Sequence, residues 1–423
     1  MGILTKTLLD FLPVIRGMIK SSCIGGLLYM IRAWCLLIVI PIYISGCLPL
    51  LGSPKALSTD TTPAVQVPRM QLLPQAVETT TQGVVNEYPA AGYGPTNFPM
   101  DVDPLTGLKV PDPSLLERRP IIIKVSNLPR YVRPQWGLSL ADLVYEYYTE
   151  EGTTRFAAIY YGKDAEKVGD IRSARFFDAH LVRMYKGLFA FGSGDERVRE
   201  RLYTSEFAGR LILEWQAKCP AMCRFISNEQ DFLLGNTRGL SAYATSIGII
   251  NNRQNLDGML FQMQPASSGI QVEHVFVRFS AAIYNRWDYD PASGRYLRFS
   301  EKNNDTTGGK NEVYEQLSDR LTGQLIAVEN LVILFIPHQY YSLDPEMVDM
   351  TFLETGTAYA FRDGLAYQVK WQRPADDSVV YLTFEDDTRF PFKPGMTWFE
   401  VLGTSSKLEQ TGEGWRFHHY FPP

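Results

Sequence analysis

The stretch from Leu188 to Tyr203, LFAFGSGDERVRERLY, sets four apolar residues against Gly192-Ser193-Gly194-Asp195 and then a charged run. A short apolar run bounded by glycine reads as a buried strand, and charged residues beyond a capping Asp195 read as a helix. Working outward, the alternation continues. Ala174 to Lys186 carries Phe177, Leu181, Met184 and Leu188 near helical spacing, with Gly187 as its C-terminal stop. Leu143 to Tyr148 and Thr154 to Tyr161 read as strands around the hairpin signal Glu150-Glu151-Gly152. Pro120 to Val125 (PIIIKV) is a further β-branched run, and Ser139-Leu-Ala-Asp142 resembles a capping box at a short helical turn. Alternating strands and helices predict an α/β domain over residues 101–266.

Beyond Gln264 to Gly269 (QPASSG) the character changes. Val272 to Asp290, Arg295 to Ser300, Gly323 to Pro337, Ala358 to Trp371, Val379 to Phe384 and Met396 to Leu402 read as strands. They are joined by turns such as Asp290 to Gly294 and Arg362-Asp363-Gly364. The expected fold class is therefore α+β or α/β: an N-terminal α/β domain with a β-rich C-terminal domain over 267–423.

The N-terminal residues address the chain. The apolar run Trp34 to Tyr43 has the length of a signal-peptide core, with Arg16, Lys20 and Arg32 before it and Ile44-Ser45-Gly46-Cys47 after it. This pattern resembles a bacterial lipobox, in which the cysteine thiolate is the nucleophile that takes the lipid. Residues 1–46 are then a lipoprotein signal peptide, and translation from Met18 or Met30 would shorten it. The competing reading is an uncleaved anchor from Cys23 to Ile44. Residues 47–100, rich in Pro, Thr, Ala and Gln without a sustained period, read as a disordered tether that holds the fold about 40 Å from the membrane. The predicted location is extracytoplasmic, membrane-anchored through lipidated Cys47.

Removing residues 1–46 takes away Lys6, Arg16, Lys20 and Arg32 against Asp10, and moves the net charge from −5 to −8. So acidic a chain argues against nucleic acid as a partner and against a polybasic membrane contact. Of the remaining cysteines, Cys219 and Cys223 read first as a local disulfide, with two free thiols as the alternative. The histidines at 180, 274, 338, 418 and 419 form no ligand-spaced cluster, so neither metal nor cofactor is expected. Asp288-Tyr-Asp290 opens no EF-hand, because Ser293 stands where the turn glycine belongs.

Several motifs occur together in order: Pro104-Leu-Thr-Gly107, Arg133-Pro134-Gln135, Ala141-Asp142, Val144-Tyr145-Glu146, Thr154-Arg155-Phe156, Ile171-Arg-Ser-Ala-Arg175, Phe361-Arg-Asp-Gly364 and Gly395-Met-Thr-Trp398. Over roughly Pro104 to Leu402 the chain resembles the YerB-like lipoproteins, whose two domains carry the label DUF3048, a label for unknown function. Phe191-Gly-Ser-Gly194 departs from that family's His-Ala-Gly-Gly type run, which removes a histidine from consideration.

Two constellations point to ligand chemistry. Arg172 and Arg175 flank Ser173 at an expected helix start, where two cations oppose the positive end of the dipole unless an anion or carboxylates compensate. With Ser173 as N-cap they would converge on a carboxylate or phosphate; the structural alternative pairs them with Glu146 or Asp178. Ser193 and Gly194, with Gly192, could form an amide nest for the same anion, in competition with Asp195. Arg155 and Glu146 complete the candidate site. Glu146, Glu150, Glu151, Asp170, Asp178 and Asp195 could supply an acid/base pair for hydrolysis, but no spacing selects one. The expected role is binding of an anionic or cell-wall-derived ligand, or of an envelope protein. An envelope polymer hydrolase and a scaffold for wall or membrane proteins are the alternatives.

Overall fold

The computed structural model describes residues 88–226 and 232–421. The signal segment, Cys47 and the tether through residue 87 lie outside the described residues. Order is established within the expected tether of 47–100: Tyr93 exchanges backbone hydrogen bonds with Phe261 at 3.0 and 2.9 Å, and the Tyr88 and Tyr93 rings meet edge-on at 5.1 Å.

The strands of the expected first domain form as read, with β1 (Ile121–Ser126), β2 (Leu143–Tyr148), β3 (Thr154–Tyr160) and β4 (Leu188–Phe191), followed by β5 (Leu211–Leu213) and the pair β6 (Met222–Arg224) and β7 (Leu233–Gly235). The later strands used here are β8 (His274–Arg278), β9 (Tyr284–Asp290), β10 (Arg295–Glu301), β11 (Asn330–Ile336), β12 (Glu354–Arg362), β13 (Leu365–Arg373), β14 (Tyr381–Thr383), β15 (Thr397–Gly403), β16 (Lys407–Thr411) and β17 (Gly414–His418). Val272 to Asp290 and Ala358 to Trp371 are thus hairpins, each folded on its own turn. Strands from both halves enter one 11-stranded sheet, ten of them in the order β14-β13-β12-β11-β15-β2-β3-β1-β4-β5 and the eleventh, Ile270–Gln271, pairing β13 beside that path. β15 lies between β11 and β2, parallel to both, with Leu143 opposite Thr397. The described residues accordingly fall in one compact unit.

Among the described residues the fold is mostly β, 39% strand against 12% helix, and the expected N-terminal α/β domain is not clearly set apart. Among the described residues the α-helices are α1 (Asp178–Met184), α2 (Glu196–Tyr203) and α3 (Thr237–Ser246). Only β1, β4 and β5 form a parallel set in the first half, and β3 runs against β1 and β2.

Alternation along β2 sorts the core, because successive side chains leave a strand on opposite faces. Tyr145 and Tyr147 face α1, where Phe177 packs 6.3 and 4.6 Å from their rings, and Phe399 of β15 stacks on Tyr145 at 4.4 Å. On the other face Phe156 and Trp398 meet at 5.1 Å, and Trp398 meets Trp287 of β9 at 5.2 Å. That second layer is a seven-stranded sheet containing β10-β9-β8-β17-β16. The molecule is a sheet packed on a sheet, with short helices over the far side.

Candidate functional site

Glu146 stands on the sheet-facing side of β2, so it cannot meet Arg172 or Arg175. It is fully buried and accepts hydrogen bonds from Thr154 Oγ1 (2.7 Å), Asn127 Nδ2 (3.0 Å) and Arg298 Nη2 (2.6 Å). Arg298 also donates through Nη1 to Glu400 Oε1 at 3.0 Å, which in turn receives Trp287 Nε1–H at 3.0 Å. The guanidinium carbon lies 4.5 Å from the Trp398 ring centroid. Burial pushes the Glu400 carboxyl well above its usual range, and the neighbouring Glu146 adds to the rise. This cluster pins the two sheets together, and the expected partnership of Glu146 with the arginines at 172 and 175 is replaced by Arg298 across the layers.

On the helix-facing side Arg155 shares a row with Tyr147 and reaches Glu150. Arg155 Nη2 donates to Glu150 Oε1 at 2.9 Å; Arg175 donates through Nε to Glu150 Oε2 at 2.5 Å and through Nη2 to Oε1. Burial works against ionisation of Glu150, but the two arginines outweigh it and hold the carboxyl below its usual range. Beneath them lies a sealed trio. Lys124 and Asp178 are fully buried with Nζ and Oδ1 3.3 Å apart, and Tyr147 hydrogen-bonds to both. Burial drives the Lys124 ammonium down to about 7 against the pull of Asp178.

Asp178 also moves the helix start. Its Oδ2 accepts the backbone N–H of Arg175 at 2.7 Å, and Ala174 N–H donates to Ser193 O at 2.8 Å, so Phe176 and Phe177 form a turn and α1 begins at Asp178. Ser173 caps nothing; its carbonyl accepts from Arg155 Nη1 at 2.7 Å. Asp195 does cap α2, accepting Arg197 N–H at 3.0 Å, an amide of the helix itself, while the Gly192 amide of the expected nest is taken by Arg172 O.

What the fold builds instead is a cleft of about 370 Å³, lined by Ile171, Arg172, Ser173, Gly192, Ser193, Glu214, Arg224 and Leu233. Gly192 and Ser193 follow β4 and Glu214 follows β5, so the cleft opens at the carboxyl edge of parallel strands, where open sheets place ligands. The wall is stitched by main chain: Arg172 N–H donates to Lys124 O and Gly192 N–H to Arg172 O, both at 3.0 Å. Arg224 and Glu214 form a two-point pair, Nε to Oε1 at 2.7 Å and Nη2 to Oε2 at 2.6 Å. Arg172, Ser173 and Ser193 thus come together; Arg155 and Arg175 gather at Glu150, and Gly194 sits beside α2, its Cβ position 3.3 Å from the Arg199 side chain. Glu214 and Arg224 escape a sequence reading, since Glu214 follows β5 and Arg224 ends β6, strands that lie in different sheets. A larger groove of about 630 Å³ runs along β8 and the β16–β17 turn, past Glu273, His274 and Trp415, on the second sheet.

Residues 105–224 match the N-terminal domain and residues 275–399 the C-terminal domain of DUF3048, both described as protein of unknown function. The chain belongs to the YerB-like DUF3048 family. Within that family it is 26% identical over 310 residues to the "Putative lipoprotein YerB" of Bacillus subtilis (strain 168), covering 71% of this chain and 85% of that one. A crystal structure of YerB from Bacillus subtilis superposes with a TM-score of 0.60 at 24% identity, over 71% of this chain and 96% of that one. The shared YerB-like fold is thereby established. The two DUF3048 segments meet in one sheet, since β2 lies in the first and β11 and β15 lie in or overlap the second.

Proposed function

We propose that this YerB-like protein is an extracytoplasmic lipoprotein that binds an anionic, wall-derived ligand in the cleft at the ends of β4 and β5. The observation that carries the reading is the convergence there of Arg172, Ser173 and Ser193 with the Glu214–Arg224 pair. A guanidinium and two hydroxyl-bearing residues beside a fixed ion pair suit a carboxylate or phosphate carried on a polar body. Lipid on Cys47 would hold the protein at the membrane, as the name of its Bacillus relative suggests. A hydrolase would need a carboxyl group able to donate a proton, and Glu150, the carboxylate nearest Arg155 and Arg175, is held ionised by them.

The test is a titration of the full chain, in detergent, with solubilised envelope fragments. Saturable binding that weakens about tenfold in Arg172→Ala is expected from loss of one charge-assisted hydrogen bond, compared at matched folded fraction because Arg172 Nε also donates to Ser126 Oγ at 3.3 Å. Binding untouched by that variant would sink the cleft assignment. Release of Cys47→Ser protein from the membrane fraction is the matching expectation for the anchor.

A further inference from the structure

We infer that β16, the free edge of the seven-stranded sheet, pairs antiparallel with β16 of a second copy of this chain. The surface shares no residue with the cleft and does not depend on its reading. β16 hydrogen-bonds to β17 on one side, and among the described residues no strand lies on the other. The remaining sheet ends offer less. β5 is buried throughout, Thr383 of β14 forms a bridge with Arg389, and the strand at the far end of the seven-stranded sheet, Tyr314–Gln316, is three residues long. An exposed strand with unpaired main-chain groups is a template for another strand.

The groups that β16 offers follow from its turn. Thr411 pairs with Gly414 across a two-residue loop, and the pair that closes such a hairpin exchanges both hydrogen bonds. Alternation then makes Glu409 with Arg416 and Lys407 with His418 bonded pairs of the same kind. The amides and carbonyls of Leu408 and Gln410 therefore point away from β17.

Charge selects the partner and the register. Lys407 and Glu409 share the outer face and are both exposed; Lys407 Nζ stands 5.5 Å from the Tyr420 ring centroid and Glu409 Oε2 3.6 Å from His418 Nε2. About a two-fold axis through Leu408, a second β16 places Leu408 opposite Leu408 and Gln410 opposite Ser406. Lys407 of each copy then faces Glu409 of the other, so the attraction occurs twice, as in any isologous contact. Sliding the second strand by two residues, the smallest step that keeps the same amides facing, sets Glu409 against Glu409 in one direction and Lys407 against Lys407 in the other. Like charges directly opposite are destabilising, so the centred register is selected. The inner face agrees with it. Leu408 and Ser406 line a cavity of about 410 Å³ together with Phe335, Tyr359 and Trp371, and no charged side chain lines it. The residues that the second copy sets opposite them, Leu408 and Gln410, bring no charge to that side either.

The deciding experiment measures self-association of the full chain by sedimentation equilibrium, in a detergent matched to the density of the buffer. A reversible monomer–dimer equilibrium is expected. Lys407→Glu and Glu409→Lys each turn both attractive contacts into repulsive ones and should each weaken the dimer about tenfold. The double swap restores opposite charges and should return the dimer to the parent's strength. It also carries the local changes of both single variants at Tyr420 and His418, so its recovery separates pairing from folding. Leu408→Cys should form a disulfide-linked dimer on mild oxidation, because hydrogen-bonded pairs stand about 5.5 Å apart at Cα, within disulfide reach. Gln410→Cys should not, since its two copies lie on opposite sides of the axis. A chain that stays monomeric at about 1 mM, leaving the edge to a strand of another protein, overturns the inference. A dimer that neither single swap weakens, or that the double swap fails to restore, overturns it as well, and so does cross-linking through Gln410→Cys in place of Leu408→Cys.

Discussion

Arg298 carries two buried carboxylates, and its removal is the sharpest single-residue test of the architecture. Arg298→Met leaves Glu146 buried beside Glu400 without its counter-charge, which should cost about 3–5 kcal/mol, measured by urea unfolding. Replacing all three residues together by apolar side chains of similar volume should recover most of it, because the lone charges and not the lost volume carry the cost. His338 gives a pH-dependent counterpart. It is buried, its Nδ1–H donates to Ile336 O at 2.7 Å, and burial pulls its pKa down to about 4. Between about 4 and the ordinary 6.5 the unfolded chain binds the proton that the fold refuses, so this residue makes stability fall as pH drops through that window. His338→Asn, which keeps a donor toward Ile336, should reduce the acid destabilisation between pH 7 and pH 4 by about 3 kcal/mol in paired urea titrations.

At the scale of elements, the short β5–β6 excursion carries the Glu214–Arg224 pair of the cleft. A disulfide closing five residues restricts the unfolded chain by about 2 kcal/mol, so Cys219→Ser with Cys223→Ser should lower stability by that amount in denaturant melts. A change near zero would mean that packing of Ala217, Ala221 and Met222 holds the loop alone. The β2–β3 hairpin was legible from Glu150-Glu151-Gly152, and its turn closes with Thr153 N–H on Glu150 O at 2.8 Å. The start of α1 was not legible, because the side chain that displaces it, Asp178, is engaged from below by Lys124 and Tyr147 on strands far away in sequence.

For the whole molecule, the shared sheet predicts that the halves do not fold apart. A fragment of residues 101–266 would leave β2 without β15 on one edge and Glu146 without Arg298, an unpaired strand edge beside a buried charge. No cooperative thermal transition is expected for that fragment by circular dichroism, whereas residues 88–421 should give one. A sharp transition in the shorter fragment would refute the interlock. Pairing Leu143 with Thr397 also requires nearly the whole chain to be present before the central strands close, so slow refolding is expected.

By itself the sequence determined what local chemistry decides: hairpins marked by Gly and Asp, the helix capped by Asp195, and the family motifs. It also carries the Cys47 pattern on which the proposed anchor rests. Only the tertiary structure decided which face each side chain serves. Period-two alternation puts Glu146 and Tyr147 on opposite sides of one strand, but only the second sheet brings Arg298 to the first and only α1 brings Asp178 to the other. The cleft depends on the same long-range placement. Arg172, Ser193, Glu214 and Arg224 meet because parallel pairing of β4 and β5 aligns their carboxyl ends, a register set by contacts far apart in the chain.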